Sequence, residues 1–458
     1  MPGYANWRTL YHDEYLQLYE EGYPVGESPE PSRRYLPFPA EVRDSVAEED
    51  IAEADWERAY WNLWKVREQD LRPDFPFVEP DDYGGIIADA SPSPALEPLN
   101  ADAYAERIRG AWYGRCVGVV LGKPLEMRLD RVQIKDYLES CEAYPLRDWV
   151  PPRSEKLDRT LRCQPSTLGN VRYVEPDDDV HYTILALLLV EKHGLGFSKL
   201  DVCTNWLDNL PYHWIWSCTR QAYYHLVNMT DDRPKEEQIA EFPTKLNPMR
   251  EGINGVIRAD FWGYINPGDP RAASELAHRE ASVNCARNGI YGAMFVAGCL
   301  GAALSKDPTV ETILQGGFSA IPRRSRLAHA LRNVMQWYEE SGEWVPVCDK
   351  IYQHYGHLPF AGGINNLSFV VLSLLHGQLD FTRTITTAVM CGTDTDCTGG
   401  TAGSIVGAAI GHRGIDPRWF EPFNDTVHTV VADFGYGTIS DLVRRTLDCY
   451  HTVHAAGE

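Results

Sequence analysis

Residues 391–414 read CGTDTDCTGGTAGSIVGAAIGHRG. Two carboxylates, Asp394 and Asp396, stand one residue apart, and a run of Gly, Ala, Ser and Thr continues to Gly411. Like charges this close repel one another. A glycine-rich helix costs about 1 kcal/mol per glycine against alanine, but lets a neighbouring backbone come very near. Both costs have one explanation: the aspartates bind a cation and the helix packs deep in the core.

A mate for that helix lies upstream. AYAERIRGAWYGRCVGVVLGKPLE (103–126) places Gly110, Gly114, Gly118 and Gly122 at every fourth position, so one helical face is bare backbone. Glu126 follows just past this segment, where a carboxylate can be aimed into a cleft. In RYVEPDDDVHYTILALLLVEKHGLG (172–196), Pro176 ends the preceding segment and Gly194 stops an apolar helix. One aspartate suffices as its N-cap. Asp177, Asp178 and Asp179 are three, so at least two need another partner, and hard cations take oxygen ligands.

Further helices are expected at 272–281, 292–304, 365–377 and from residues 380–381 onward, and strand alternation is scarce. The fold class is therefore mostly α. Residues 130–172 read as a loop-rich excursion, and 247–270 as an exposed, turn-rich loop around Asn254-Gly255, with Arg258 and Asp260 nearby. His354 and His357 lack the glutamate of a zincin helix and are expected in a loop, without metal.

Residues 1–98 differ from the rest in being rich in Pro, Tyr, Trp, Glu and Asp. Trp56, Tyr60, Leu63 and Trp64 share one helical face, expected to pack on the main body, and SPSPALEPLN (91–100) reads as a linker to a domain spanning 99–458. No stretch of about 18 apolar residues is present, which argues against a membrane span. The net charge of −22 argues against nonspecific nucleic-acid binding. Eleven scattered cysteines without a C-x-x-C pair, and no basic-then-apolar leader, fit reduced thiols in a cytoplasm.

Four blocks together resemble the ADP-ribosylglycohydrolase family, which includes the dinitrogenase reductase-activating glycohydrolases. They are GAWYGRCVGVVLGKPLE, EPDDDVHYT, INGVIRADFWGYINPG with AHREASVNCARNGIYGAMFVAG, and CGTDTDCTGGTAGSIVGAAIG, spread over residues 103–415 in the family's order. The resemblance implies an all-α orthogonal bundle whose cleft holds two divalent metals, usually Mg2+, with Mn2+ or Ca2+ as alternatives. By the same resemblance Asp177, Asp178, Asp179, Asp394 and Asp396 are metal ligands. Glu126 falls on the glutamate that helps position the metals and the reactive water, and Glu126, or Asp178 or Asp179 of the cluster, is expected to accept the proton. Asn254, Gly255 and Asn284 fall where the family holds the distal ribose and phosphates.

Three positions depart from the pattern. Asp177 replaces a threonine, Cys397 replaces the last threonine of Asp-Thr-Asp-Thr, and Asn284 stands where many members have histidine. The implied activity is hydrolysis of a ribosyl C1–N or C1–O bond through an oxocarbenium-like transition state. The expected substrate is ADP-ribosylated protein. The alternatives are a small nucleoside, nucleotide or dinucleotide N-riboside, non-catalytic ADP-ribose binding, or phosphate-ester hydrolysis.

Overall fold

The computed structural model describes residues 6–26, 51–126, 129–229 and 232–455. The architecture is all-α. Among the described residues the only sheets are two antiparallel ribbons, Arg153–Ser154 with Arg159–Thr160 and Thr426–His428 with Tyr436–Thr438. The framing helices, in chain order, are α1 (Trp7–Glu20), α2 (Glu53–Trp64), α3 (Ala101–Gly122), α4 (Asp178–His193), α5 (Asn288–Ala303) and α6 (Thr395–Ile410).

At the centre α3 and α6 run antiparallel in backbone contact. A Cβ added at Gly110, Gly114, Gly118 or Gly122 would collide with the carbonyl oxygen of Gly407, Gly403, Gly399 or Thr395 respectively. The reverse holds too: Cβ atoms at Gly399, Gly403 and Gly407 would strike the carbonyls of Gly118, Gly114 and Gly110. Both helices thus present a bare stripe every fourth residue, and the stripes meet in one register. Thr395 Oγ1 closes the pair by donating to the Gly122 carbonyl at 2.8 Å. This register sets the C-terminal end of α3, which leads into Glu126, beside the N-terminal end of α6, which carries Asp394 and Asp396.

Three expected loops are corrected, the third at His354 below. Residues 250–260 form a buried 3₁₀ turn (Ile253–Arg258) running into a short helix (Asp260–Tyr264), not an exposed loop. The segment can be buried because its charges are met inside: Arg258 Nε pairs with Glu280 Oε1 at 2.7 Å and Asp260 with Arg115 at 3.6 Å. Within 130–172, residues Arg131–Ser140 form a helix, started by a reciprocal cap between Asp130 and Gln133.

The aromatic face of α2 packs mainly on α1. Trp7, Leu10, Tyr11, Tyr15, Leu18, Trp56, Tyr60 and Leu63 make a small core of their own. The pair meets the main body through buried ion pairs. Arg250, 0% exposed, donates Nε to Glu21 Oε1 at 2.6 Å and Nη1 to Glu14 Oε2 at 3.0 Å. His354 lies in the helix Trp344–Tyr355 against Trp337, not in a loop, and His357 pairs with Glu20 at 3.0 Å.

Candidate active site

Three helix ends converge on one acidic cluster. The N-terminus of α4 supplies Asp177, Asp178 and Asp179; the N-terminus of α6 supplies Asp394 and Asp396; the end of α3 supplies Glu126. Oxygen atoms of Glu126, Asp394 and Asp396 all lie within 4.8 Å of one another, as do those of Asp177, Asp178 and Asp179. Asp179, Asp396 and the Cys397 thiol form a third such group, which links the two sides. Both helix N-termini point partial positive charge at the cluster.

The aspartates are not equivalent. Asp177 caps α4 by accepting the Asp179 amide at 3.0 Å, and its other oxygen takes Lys123 Nζ at 2.8 Å. The carboxylate that replaces a threonine thus arrives with a lysine that neutralises it. Asp179 faces Arg115, fully buried in mid-α3: Nη2 is 3.3 Å from Asp179 Oδ1, and Nε donates to the Asp179 carbonyl at 2.9 Å. Arg115 is shared with Asp260 and also holds Thr401 Oγ1 and the Ile257 carbonyl. Cys397 Sγ donates to Asp179 Oδ2 at 3.1 Å.

Six carboxylates therefore share two cations, Lys123 and Arg115. Burial, reinforced by neighbouring carboxylates, drives the acids of Asp178, Asp179 and Asp394 well above the ordinary range. The same causes push Asp396 up to about 6 and Glu126 up to about 10. Asp179 Oδ1 is buried without a hydrogen bond. Left to itself the cluster must hold protons near neutral pH; a divalent cation relieves the same repulsion with the oxygen ligands it favours. The residues present fit a bound divalent metal. The neighbouring His181 is kept neutral, its ring pushed down to about 4 by burial, with Nε2 accepting the Val430 amide.

The positions expected to hold ribose and phosphates are placed as follows. Asn254 is buried, with Oδ1 free of any hydrogen bond. Gly255 packs on α5, where a Cβ would meet the Gly289 carbonyl. Asn284 is 0% exposed and its amide is occupied: Oδ1 accepts Arg258 Nη2 at 2.8 Å, and Nδ2 donates to Thr219 Oγ1 at 3.1 Å. Lys123 and Arg115, the counter-ions, were not singled out from sequence. A lone arginine in a Gly/Val helix stripe was the available signal, because a buried guanidinium needs a carboxylate partner.

An all-α fold with carboxylates gathered at helix ends defines a buried acidic site ready for a cation. The sequence model of the ADP-ribosylglycohydrolase family matches residues 100–452, and the chain belongs to that family. Among solved structures, one titled "ADP-ribosylglycohydrolase-related protein complex" is similar in fold, with a TM-score of 0.50 and 17% identity. The match covers 77% of this chain and 99% of that one. No curated protein matches. Among the described residues, no helix is long and apolar enough to cross a membrane.

Proposed function

We propose that the protein is a metal-dependent hydrolase of ribosyl C1–N or C1–O bonds, acting as an ADP-ribosyl glycohydrolase on modified protein in the cytoplasm. The observation that carries this reading is the buried carboxylate cluster with too few cations of its own. Asp178, Asp179, Asp394 and Asp396 hold two divalent ions, Mg2+ in the first instance, with Mn2+ or Ca2+ as alternatives. Asp177 adds charge from behind its Lys123 contact. Bound there, such ions polarise sugar hydroxyls and acidify a water.

Glu126 accepts the proton of the attacking water once bound cations displace the proton that burial and its neighbouring aspartates force on it in the metal-free cluster. The aspartates stabilise positive charge at the anomeric carbon. Asn254, with its unpartnered oxygen, and the Gly255 backbone face the distal ribose and phosphates. Asn284 acts as a positioning residue through Arg258. Residues 99–458 form the catalytic domain and 1–98 an extension. The test is to incubate the full chain and Mg2+ with peptides ADP-ribosylated on arginine, serine or cysteine, and to follow ADP-ribose by mass spectrometry. Release from at least one is expected, and none from any removes the protein-demodifying reading.

A second reading, hydrolysis of a small N-riboside, is favoured by where the extension sits. Gln17 of α1 donates to Glu251 Oε2 at 2.8 Å, three positions before Asn254, so the extension borders the segment assigned to the ligand. Turnover of free N-ribosides set against turnover of modified protein separates the two.

A further inference from the structure

A cleft of about 340 Å³ adjoins the cluster, lined in part by Glu126 and Lys123. The ribbon strand Arg159–Thr160 and the residues after it, including Arg162 and Cys163, also line it. This stretch is fixed by its own chemistry. Leu161 is buried and its amide donates to the Pro152 carbonyl at 3.0 Å, while Ser154 Oγ meets Ser140 Oγ at 2.6 Å.

The charges on this ribbon are unevenly spent. Arg153 takes both nearby acids, Glu155 at 2.8 Å and Asp158 at 2.6 Å, and also holds Thr160 Oγ1 at 2.9 Å. Arg159, half-buried, and Arg162, exposed, have no carboxylate partner among the described residues. In a chain of net charge −22, two guanidiniums left bare at the rim of a cleft that touches Glu126 are conspicuous on electrostatic grounds. An arginine fork is matched to phosphate or carboxylate oxygens.

We infer that this cleft is a subsite for an anionic group of the substrate, phosphate or carboxylate, held by Arg159 and Arg162. The inference rests on the glycosidase reading and adds to it: Arg159 and Arg162 are the residues that select for negative charge within reach of the scissile bond. Lys123 is less free to take that charge, because Asp177 and the Pro176 carbonyl already use two of its three ammonium donors. The Thr160 hydroxyl stands between the two arginines in sequence and is the neutral donor of the set.

The experiment pairs an uncharged N-riboside with two charged ones, a riboside 5′-phosphate and a riboside whose leaving group bears a carboxylate. In wild type the charged member of at least one pair is preferred. In R159Q/R162Q that preference falls roughly tenfold or more, mainly through KM, while R159K/R162K keeps most of it. Loss confined to the phosphate arm identifies a phosphate; loss confined to the carboxylate arm identifies the leaving group. A preference that survives the double glutamine variant in both arms overturns the inference and leaves the glycosidase reading intact. If wild type turns over no riboside, that reading falls and calorimetry with inorganic pyrophosphate decides the subsite. Binding by wild type that is lost in the double variant supports it, and equal or absent binding ends it. Should the double variant unfold, R162Q at the exposed position decides in the same way.

Discussion

Two buried carboxylate clusters in this protein solve the same problem in opposite ways. Where the N-terminal helices dock, Glu14, Glu21, Glu79 and Glu251 are met by the guanidiniums of Arg250 and Arg326, at 3.0, 2.6, 2.8 and 2.6 Å. At the end of the α3–α6 pair, the aspartates and Glu126 outnumber their cations. Burial pushes Glu21 up, but Arg250 and Arg287 outweigh it and hold that carboxyl down to about 2. The same burial, with no such arginines, leaves Asp396 raised to about 6. A carboxylate cluster whose arginines match its charge is a joint. One whose cations fall short, as Arg115 and Lys123 do at the cleft, fits a cation from solution.

The sharpest way to break the comparison is to remove a carboxylate on each side. At the cleft, D396N should lower metal-supported activity on the order of 10²-fold or more, while metal-free stability holds or rises because repulsion is relieved. Steady-state rates beside denaturant melts of the metal-free protein check both halves. At the joint, R250A strands Glu14 and Glu21 without their cation and should cost about 3–5 kcal/mol. Urea unfolding reads that loss directly. Equal destabilisation by the two substitutions would erase the distinction between joint and cleft.

The α3–α6 contact holds the cleft cluster in register, and it can be tested by volume. A methyl at Gly118 strikes the Gly399 carbonyl, with backbone on both sides and no flexible side chain to yield. G118A should therefore cost about 1–3 kcal/mol, even though alanine favours a helix by about 1 kcal/mol. Because the shift is felt where Glu126 meets Asp394 and Asp396, metal affinity should weaken with it. Thermal melts and metal titration of the same variant test the coupling.

Asp396 at the cleft and Glu21 at the joint predict opposite slopes against pH, whereas Glu14 and Glu251 of the joint, raised by burial, slope with Asp396. A carboxyl raised when folded stabilises the protein below its unfolded value and loses that contribution as pH rises through the folded one, near 6 for Asp396. Metal-free protein should thus weaken from about pH 4 upward on account of the cleft, and a divalent cation should restore more stability at pH 8 than at pH 5.5. Glu21 runs the other way: its contribution is present above the usual glutamate range and is lost as pH falls toward 2. Melting temperatures with and without Mn2+ across this range decide whether the metal gain grows with pH.

Much of this was legible from sequence where the signal was periodic or redundant. Glycines every fourth residue on two segments announced a backbone-close pair, and three consecutive aspartates exceeded what one helix cap can use. The capping pair Asp130 and Gln133 was also visible in LDRVQ, yet the surrounding prolines and arginines drowned it. What stayed hidden was pairing at a distance. Nothing local says that Lys123 is matched to Asp177 or that Arg258 is matched to Glu280 and Asn284, and without those matches the 250–260 segment reads as a solvated loop. The aromatic face of α2 showed that it would be covered, but the hydrophobic period cannot say by what.

The smallest expected effect concerns Cys397, where a threonine was anticipated. A thiolate there would be a soft ligand and would tilt the site from Mg2+ toward softer ions. The geometry favours another state. Burial and four neighbouring aspartates, Asp179 first among them, push the thiol far above its ordinary range, so it stays protonated and donates to Asp179 Oδ2. As a neutral donor it occupies one oxygen of a metal-facing carboxylate, a task a hydroxyl can perform. C397S should then alter Mg2+ affinity by less than about tenfold and leave the ratio of Mg2+ to Zn2+ affinity nearly unchanged, whereas C397A, which leaves Asp179 Oδ2 unbonded, should do more. Paired calorimetric titrations with Mg2+ and Zn2+ measure that ratio. A large swing toward Mg2+ in C397S would mean that the sulfur itself is a ligand, and that part of the cluster's missing charge is answered by a soft metal.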